Sequence, residues 1–113
     1  MKIKISEASG KALDWMVVKC NYPEWSDDRI FACITNLYDW ESAYNPATDP
    51  VQANRIMERE GIWTRTTDEG EDDPSRKWRA TLPLKAVEIG PTILVAAMRC
   101  YVASQGWHNG EIE

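Results

Sequence analysis

The segment that most constrains the fold is residues 90–104, with the sequence GPTILVAAMRCYVAS. It predicts a helix that begins at Pro91 and ends before Gly106, because proline is favoured at the start of a helix and glycine just past its end. The helix is apolar on almost every side, and Arg99 is its one charged residue. Such a helix has to be covered by the rest of the chain, so it marks the centre of a globular domain.

The length of the chain, 113 residues, is sufficient for one domain with its own core but not for two. The hydrophobic fraction of 43% is that of an ordinary globular protein. No apolar run approaches the roughly 20 residues that a transmembrane helix needs. Residues 1–6 lack the apolar stretch of a signal peptide. We therefore expect no membrane association and a cytoplasmic localisation.

The charges and the cysteines indicate which ligands the chain does not bind. The formal net charge is −5, and the lysines and arginines are scattered, so direct binding to nucleic acid is disfavoured. Cys20, Cys33 and Cys100 form no CxxC pair, and the one histidine, His108, lies near the end of the chain. We predict free thiols and no metal site.

Two further helices are predicted from apolar spacing and capping residues. The first lies within residues 6–20 and either starts near Gly10 or needs a close backbone contact there, since glycine inside a helix costs about 1 kcal/mol relative to alanine. In the second helix, Asp49 is the predicted N-cap and Gln52 completes a capping box. Gly61 ends this helix in a left-handed conformation.

The remaining elements are strands and loops. Residues 29–40 fit a helix or a strand, and their β-branched and aromatic content favours extended structure. Residues 68–75 form a mobile acidic loop. The predicted strands are residues 2–5, 62–67 and 78–82. Together these elements predict an α+β fold, a single domain of two to three helices packed on a small antiparallel sheet, over residues 1–106, with a flexible tail at residues 107–113.

Three parts of the chain resemble a known family. They are residues 4–17 (KISEASGKALDWMV), residues 44–62 with the motifs YNPATDP and MEREGI, and residues 90–104. These motifs are similar, in the same order, to those of an enterobacterial phage and prophage family of NinX-like proteins. The resemblance implies a small accessory protein made in the cytoplasm of an infected or lysogenic bacterial cell. It carries over no catalytic residues.

Six tryptophans are many for a chain of this length. We expect these large side chains either to fill the core or to line a binding groove. The second role is considered because tryptophan is common in binding hot spots. Trp15 lies at the edge of the apolar stripe of its helix, and Trp63 and Trp78 are predicted to face each other across a hairpin. The candidate binding surface consists of Trp15, Tyr44, Asn45, Asp49, Trp63, Trp78 and Arg99.

Arg99 has two interpretations. A buried arginine needs a partner, and within the protein Asp14, Glu58 or Glu60 would supply a carboxylate. Alternatively, its guanidinium holds an anionic ligand or a carboxylate of another protein in a bidentate manner. Arg99 lies on a helix face of small residues that another backbone can approach closely, and this face also suits a homodimer contact.

The sequence contains no nucleophile motif, no phosphate-binding glycine loop and no histidine-centred triad. We therefore predict no catalytic residues, no cofactor and no enzymatic activity. The first hypothesis is a non-enzymatic module that binds a host or phage protein. The alternative is a small-ligand module, in which Trp63 or Trp78 stacks on a ring and Arg99 holds an anion.

Overall fold

Four helices and two antiparallel sheets make up the described part of the chain. The structure is a computed structural model that describes residues 3–35, 43–106 and 111–112. The predicted α+β fold is confirmed, with four helices instead of two to three. The helices are α1 (Gly10–Asn21), α2 (Asp27–Thr35), α3 (Pro50–Glu60) and α4 (Ile93–Ser104). The strands are β1 (Ile3–Lys4), β2 (Trp63–Thr66), β3 (Trp78–Leu82), β4 (Ala86–Gly90) and β5 (Glu111–Ile112).

Helix α4 lies at the centre of the fold, as its apolar sequence requires. It packs against β3, β4, α1 and α3, and residues 95–102 are all buried. Gly90 at the end of β4 permits a close approach, because a Cβ atom there would lie 2.8 Å from the backbone N of Ala96. The small-residue face of α4 around Ala96 is therefore covered by the chain's own sheet.

Strands β2, β3 and β4 form one antiparallel sheet in that order. Trp63 pairs with Thr81, and Trp78 pairs with Thr66. Because successive residues of a strand point to opposite faces, Trp63 and Trp78 lie on opposite sides of the sheet. The prediction that these two tryptophans face each other is wrong. The inner face, with Trp78, packs on α4, and the outer face carries Trp63, Arg65, Arg79, Thr81, Val87 and Ile89.

Helix α2 overturns the extended structure that was predicted for residues 29–40. Ile30 and Ile34 are buried against α1, with the spacing of one helix face. The hydroxyl of Ser26 accepts a hydrogen bond from a backbone N–H of the first turn at 3.2 Å. The apolar contacts and this cap outweigh the β-propensity of the segment, which depends strongly on context. Residues 36–40 lie outside the described residues.

The ends of α1 and α3 follow the predicted residues with one exception, whereas α4 begins at Ile93, two residues after the predicted Pro91, with Thr92 as its N-cap. Helix α1 begins at Gly10, with φ of +53°, and α3 ends at Gly61, with φ of +78°. Asp49 caps α3 by accepting hydrogen bonds from two backbone N–H groups of the first turn. Gln52 completes no capping box, because its Oε1 accepts from the backbone N–H of Asn45 at 2.6 Å. Its side chain thus braces the turn before the helix.

Near the two ends of the chain, β1 pairs with β5, so that Ile3 lies opposite Ile112. In the predicted tail, residues 107–110 and 113 lie outside the described residues. The division into a domain of residues 1–106 and a tail stays a prediction. Within the described ranges, no helix has both the length and the apolarity that crossing a membrane requires.

Candidate functional site

The structure does not bring the seven residues of the candidate binding surface together. Tyr44, Asn45 and Asp49 share the turn before α3. Trp15 is half-buried between two apolar clusters of the core. Trp63 lies on the outer face of the sheet, Trp78 on the inner face, and Arg99 inside the fold. Trp63 is 70% exposed, whereas Arg99 is 7% exposed, and the role of all seven in binding stays a prediction.

Arg99 is bound by backbone oxygens instead of the carboxylates that the sequence suggested. Its Nε donates to the carbonyl of Ala8 at 2.8 Å, and its Nη1 donates to the carbonyl of Ile89 at 2.8 Å. Burial lowers the pKa of Arg99, and the nearby charges of Glu88 and Glu7 oppose this effect. The guanidinium therefore joins the N-terminal segment, β4 and α4.

The predicted pairing of Arg99 with Asp14, Glu58 or Glu60 is wrong. Asp14 faces another part of the fold, and Glu58 is exposed on α3. Glu60 accepts a hydrogen bond from Arg59 at 2.9 Å. The two carbonyls satisfy Arg99 because the ends of β4 and of the N-terminal segment meet beside α4, a juxtaposition that a helical wheel does not reveal.

Asp14 is a buried carboxylate that the list of candidate site residues omits. It is 1% exposed and accepts a hydrogen bond from the backbone N–H of Ala47 at 2.9 Å, and Lys11 lies 3.9 Å away. Burial raises the pKa of Asp14 to about 6, although the hydrogen bond and Lys11 act in the opposite direction. Asp14 thus holds the turn before α3 on α1. The sequence signal is an aspartate among the apolar residues of a helix.

The outer face of the sheet carries two of the exposed large apolar side chains of the described chain, Trp63 and Val87. Trp63, Thr81 and Val87 form one row across the three strands, and Trp63 and Val87 are 70% and 55% exposed. Leu84, in the turn between β3 and β4, is fully exposed. Large apolar side chains exposed on one face of a sheet are typical of interaction sites.

Two arginines lie beside this apolar row, and they are absent from the predicted surface. Arg65 on β2 is directly opposite Arg79 on β3. Both line a small pocket of about 230 Å³ at the start of the loop that follows β2. The sequence spacing places Trp63 and Arg65 on the same face of a strand. The pairing of Arg65 with Arg79, however, depends on the register of the hairpin. That register follows from the length and shape of the connecting loop.

A separate pocket surrounds Tyr44. It has a volume of about 530 Å³ and lies between α1, α2 and α3. Its walls include the rings of Tyr22 and Trp25, which stack with centroids 4.2 Å apart, and the side chain of Arg55. The Tyr44 hydroxyl accepts a hydrogen bond from Asn21 at 3.4 Å, and burial raises the pKa of Tyr44. We refer to this cavity as the Tyr44 pocket.

Trp78 lies in a third cavity, an open cleft of about 700 Å³. The cleft runs between the turn at residues 47–50 and the start of α4, and most of its lining side chains are apolar. It therefore combines part of the predicted turn surface with one predicted tryptophan. Within the described ranges, no group of three or more histidine, cysteine or acidic side chains has the geometry of a metal site.

Replacing Arg99 tests its structural role. We expect Arg99→Lys to lower the free energy of unfolding by about 2–4 kcal/mol, because a lysine cannot reach both carbonyls and leaves a buried acceptor unsatisfied. Urea denaturation measures this difference. Arg55→Lys is the control, since Arg55 is exposed on α3, and its stability should stay within about 0.5 kcal/mol of the wild type. Equal stability of both variants would contradict the assignment.

Asp14 makes stability depend on pH. Its folded pKa of about 6 lies above the ordinary value of 3.8, so the folded state binds the proton more tightly. This contribution is fully present below pH 3.8 and is lost as the pH rises through about 6, a change of about 2–3 kcal/mol. Asp14→Asn should therefore raise stability at pH 7 and flatten the profile from pH 4 to 7, as measured by urea denaturation. A profile as steep as that of the wild type would refute this expectation.

Comparison with known proteins identifies a family. Residues 4–105 match the family described as Bacteriophage P22, NinX. The match includes all three segments that carry the resemblance noted in the sequence. No curated protein and no solved structure matches the chain significantly. Since the matched region spans nearly all of the 113 residues, the chain belongs to the NinX family of bacteriophage P22.

Proposed function

We propose that this phage protein is a non-enzymatic module that binds a host or phage protein in the cytoplasm of the infected cell. The observation that supports this function is the exposure of Trp63 and Val87, which lie in one row with Thr81 on the outer face of the sheet in the described part of the chain. A flat sheet face with an exposed tryptophan at its edge has the form of a protein-binding surface. The docking partner covers the apolar row and removes it from water.

The partner that we propose is a different protein and not a second copy of this chain. A symmetric dimer through the outer face would bring Arg65 and Arg79 of both copies close together. Repulsion between these guanidinium groups opposes that arrangement. A partner surface that is apolar at its centre and acidic at its border complements the face.

Site-specific crosslinking in infected cells tests this proposal. A benzophenone side chain placed at Val87 should give one defined adduct with a host or phage protein, because Val87 is 55% exposed within the row. The same side chain at Glu58 is the matched control, since Glu58 is exposed on α3, away from the sheet. Trp63→Ala should abolish the adduct at position 87 and leave the fold unchanged, as checked by circular dichroism.

Three results would contradict the proposal. They are the absence of any adduct at position 87, equal adducts from positions 87 and 58, and persistence of the adduct in Trp63→Ala. An adduct with twice the mass of the chain would show that the partner is a second copy of this chain and not a different protein.

A second candidate function is the binding of a small anionic or aromatic ligand in the Tyr44 pocket. Its volume of about 530 Å³ falls within the roughly 300–1,000 Å³ of small-molecule sites. Aromatic rings and the guanidinium groups of Arg55 and Arg59 converge on it. Arg99, which was predicted to hold the anion, is bound by two carbonyls, so this function rests on different residues.

A thermal-shift screen with mononucleotides tests the second candidate. We expect a rise in Tm of a few degrees that Arg55→Gln removes, because this arginine is exposed and lines the pocket. Trp63→Ala, on the outer face, should leave the rise intact. A shift that survives Arg55→Gln, or no shift with any mononucleotide, would count against a ligand in the Tyr44 pocket.

A further inference from the structure

Arg65 and Arg79 place two positive charges directly opposite each other on neighbouring strands. Like charges directly opposite each other on neighbouring strands destabilise a sheet. Among the residues that the structure describes, neither arginine takes part in an ion pair. In the described part of the chain, the two positive charges share their pocket with one carboxylate, Asp68, which forms no ion pair with either arginine.

Arg79 also contains a buried donor without an acceptor. Its Nε atom is out of contact with solvent and has no hydrogen-bond partner in the described part of the chain. Nearly all buried polar groups in proteins are hydrogen-bonded, so the guanidinium of Arg79 lacks an acceptor that a buried donor usually has. The unsatisfied donor belongs to a side chain that lines the small pocket between β2 and β3.

The shape of this pocket is fixed by its surroundings. The hydroxyl of Thr67 donates to the carbonyl of Arg76, and the backbone N–H of Thr67 donates to the carbonyl of Lys77 at 2.9 Å. These contacts tie the two ends of the loop together beside Arg65 and Arg79. The pocket volume of about 230 Å³ is below the roughly 300 Å³ at which sites for whole drug-sized molecules begin. It therefore suits the charged end group of a ligand.

We propose that the pocket of Arg65 and Arg79 binds a phosphoryl group. Two guanidinium groups match the charge of a phosphoryl dianion, and each offers a planar fork of donors to its oxygens. A phosphoryl dianion between the two guanidinium groups offsets the repulsion within the pair. Asp68 also lines the pocket, and its carboxylate weakens the binding of an anion.

This inference goes beyond the binding of a protein partner and does not depend on it. Phosphoryl chemistry is shared by inorganic phosphate and by phosphate monoesters, and the two sources are compared directly in the experiment. The crosslinking at Val87 reports on the apolar row, whereas the experiment below reports on the arginine pair. Either proposal can fail while the other holds.

The experiment observes the Nε–Hε signals of the arginines by NMR during titration with inorganic phosphate, glycerol phosphate and acetate. We expect a saturable shift of the Arg79 signal at millimolar phosphate, with a smaller response to acetate. The signal of Arg29 is the internal control, since Arg29 is exposed on α2 and does not line the pocket. A response to phosphate and to glycerol phosphate shows a site for an end group, and a response to phosphate alone shows a site for the free ion.

Three variants test which side chains of the pocket contribute to phosphate binding. Arg65→Gln should weaken phosphate binding roughly tenfold, because it removes charge-assisted hydrogen bonds. Arg79→Lys keeps the charge and loses the fork, so a comparable loss is expected. Asp68→Asn should strengthen binding by about two- to fivefold, since it removes a repelling charge near the protein surface.

Several results would overturn the proposal. No saturable shift of the Arg79 signal would exclude an anion site there. Equal affinities for acetate and phosphate would assign the pocket to a carboxylate instead of a phosphoryl group. Unchanged affinity in Arg65→Gln, with the fold intact by NMR, would show that the phosphate binds elsewhere.

Discussion

The guanidinium of Arg99 is removed from water and satisfied by two carbonyls, one in the N-terminal segment and one in β4. These groups lie 91 and 10 residues away along the chain, so the contact can form only when helix, sheet and N-terminal segment have assembled. A buried charge without such partners would cost several kcal/mol. The position of the sheet relative to α4 follows from this contact, together with the close approach at Gly90. On the opposite face of the sheet, Trp63 and Val87 stay exposed among the described residues.

The sequence predicts those elements whose signals are local. Helix α4 follows from its apolar run, α3 from Asp49 and Gly61, and the strand at β3 from its alternation. Helix α2 was mistaken for extended structure because Ile30 and Ile34 fit both periods, and burial against α1 decides between them. Strand β4 was not predicted, because its short alternating stretch can be identified as a strand only from its pairing with β3.

The candidate site was harder to predict than the fold. Trp63 was identified from its residue type and is exposed in the structure, and its role in binding stays a prediction. Arg99 was also singled out, but its partners are backbone atoms, which no sequence pattern identifies. The pairing of Arg65 with Arg79 depends on strand register, and register depends on the conformation of residues 67–77, which connect the two strands. Side chains that meet through long-range pairing lie beyond what local propensities can show.

The strands of the sheet also differ in local stability, because they differ in pairing and in burial. Strand β3 is paired on both edges and packs on α4, whereas β2 is paired on one edge and three of its four residues are exposed. Proteins open locally where few buried contacts oppose the opening. We therefore expect the amide hydrogens of β2 to exchange with solvent through smaller openings than those of the buried residues of α4. The strand that carries Trp63 and Arg65 can adjust its backbone to a partner without loss of the core, and its plasticity comes from its place at the edge.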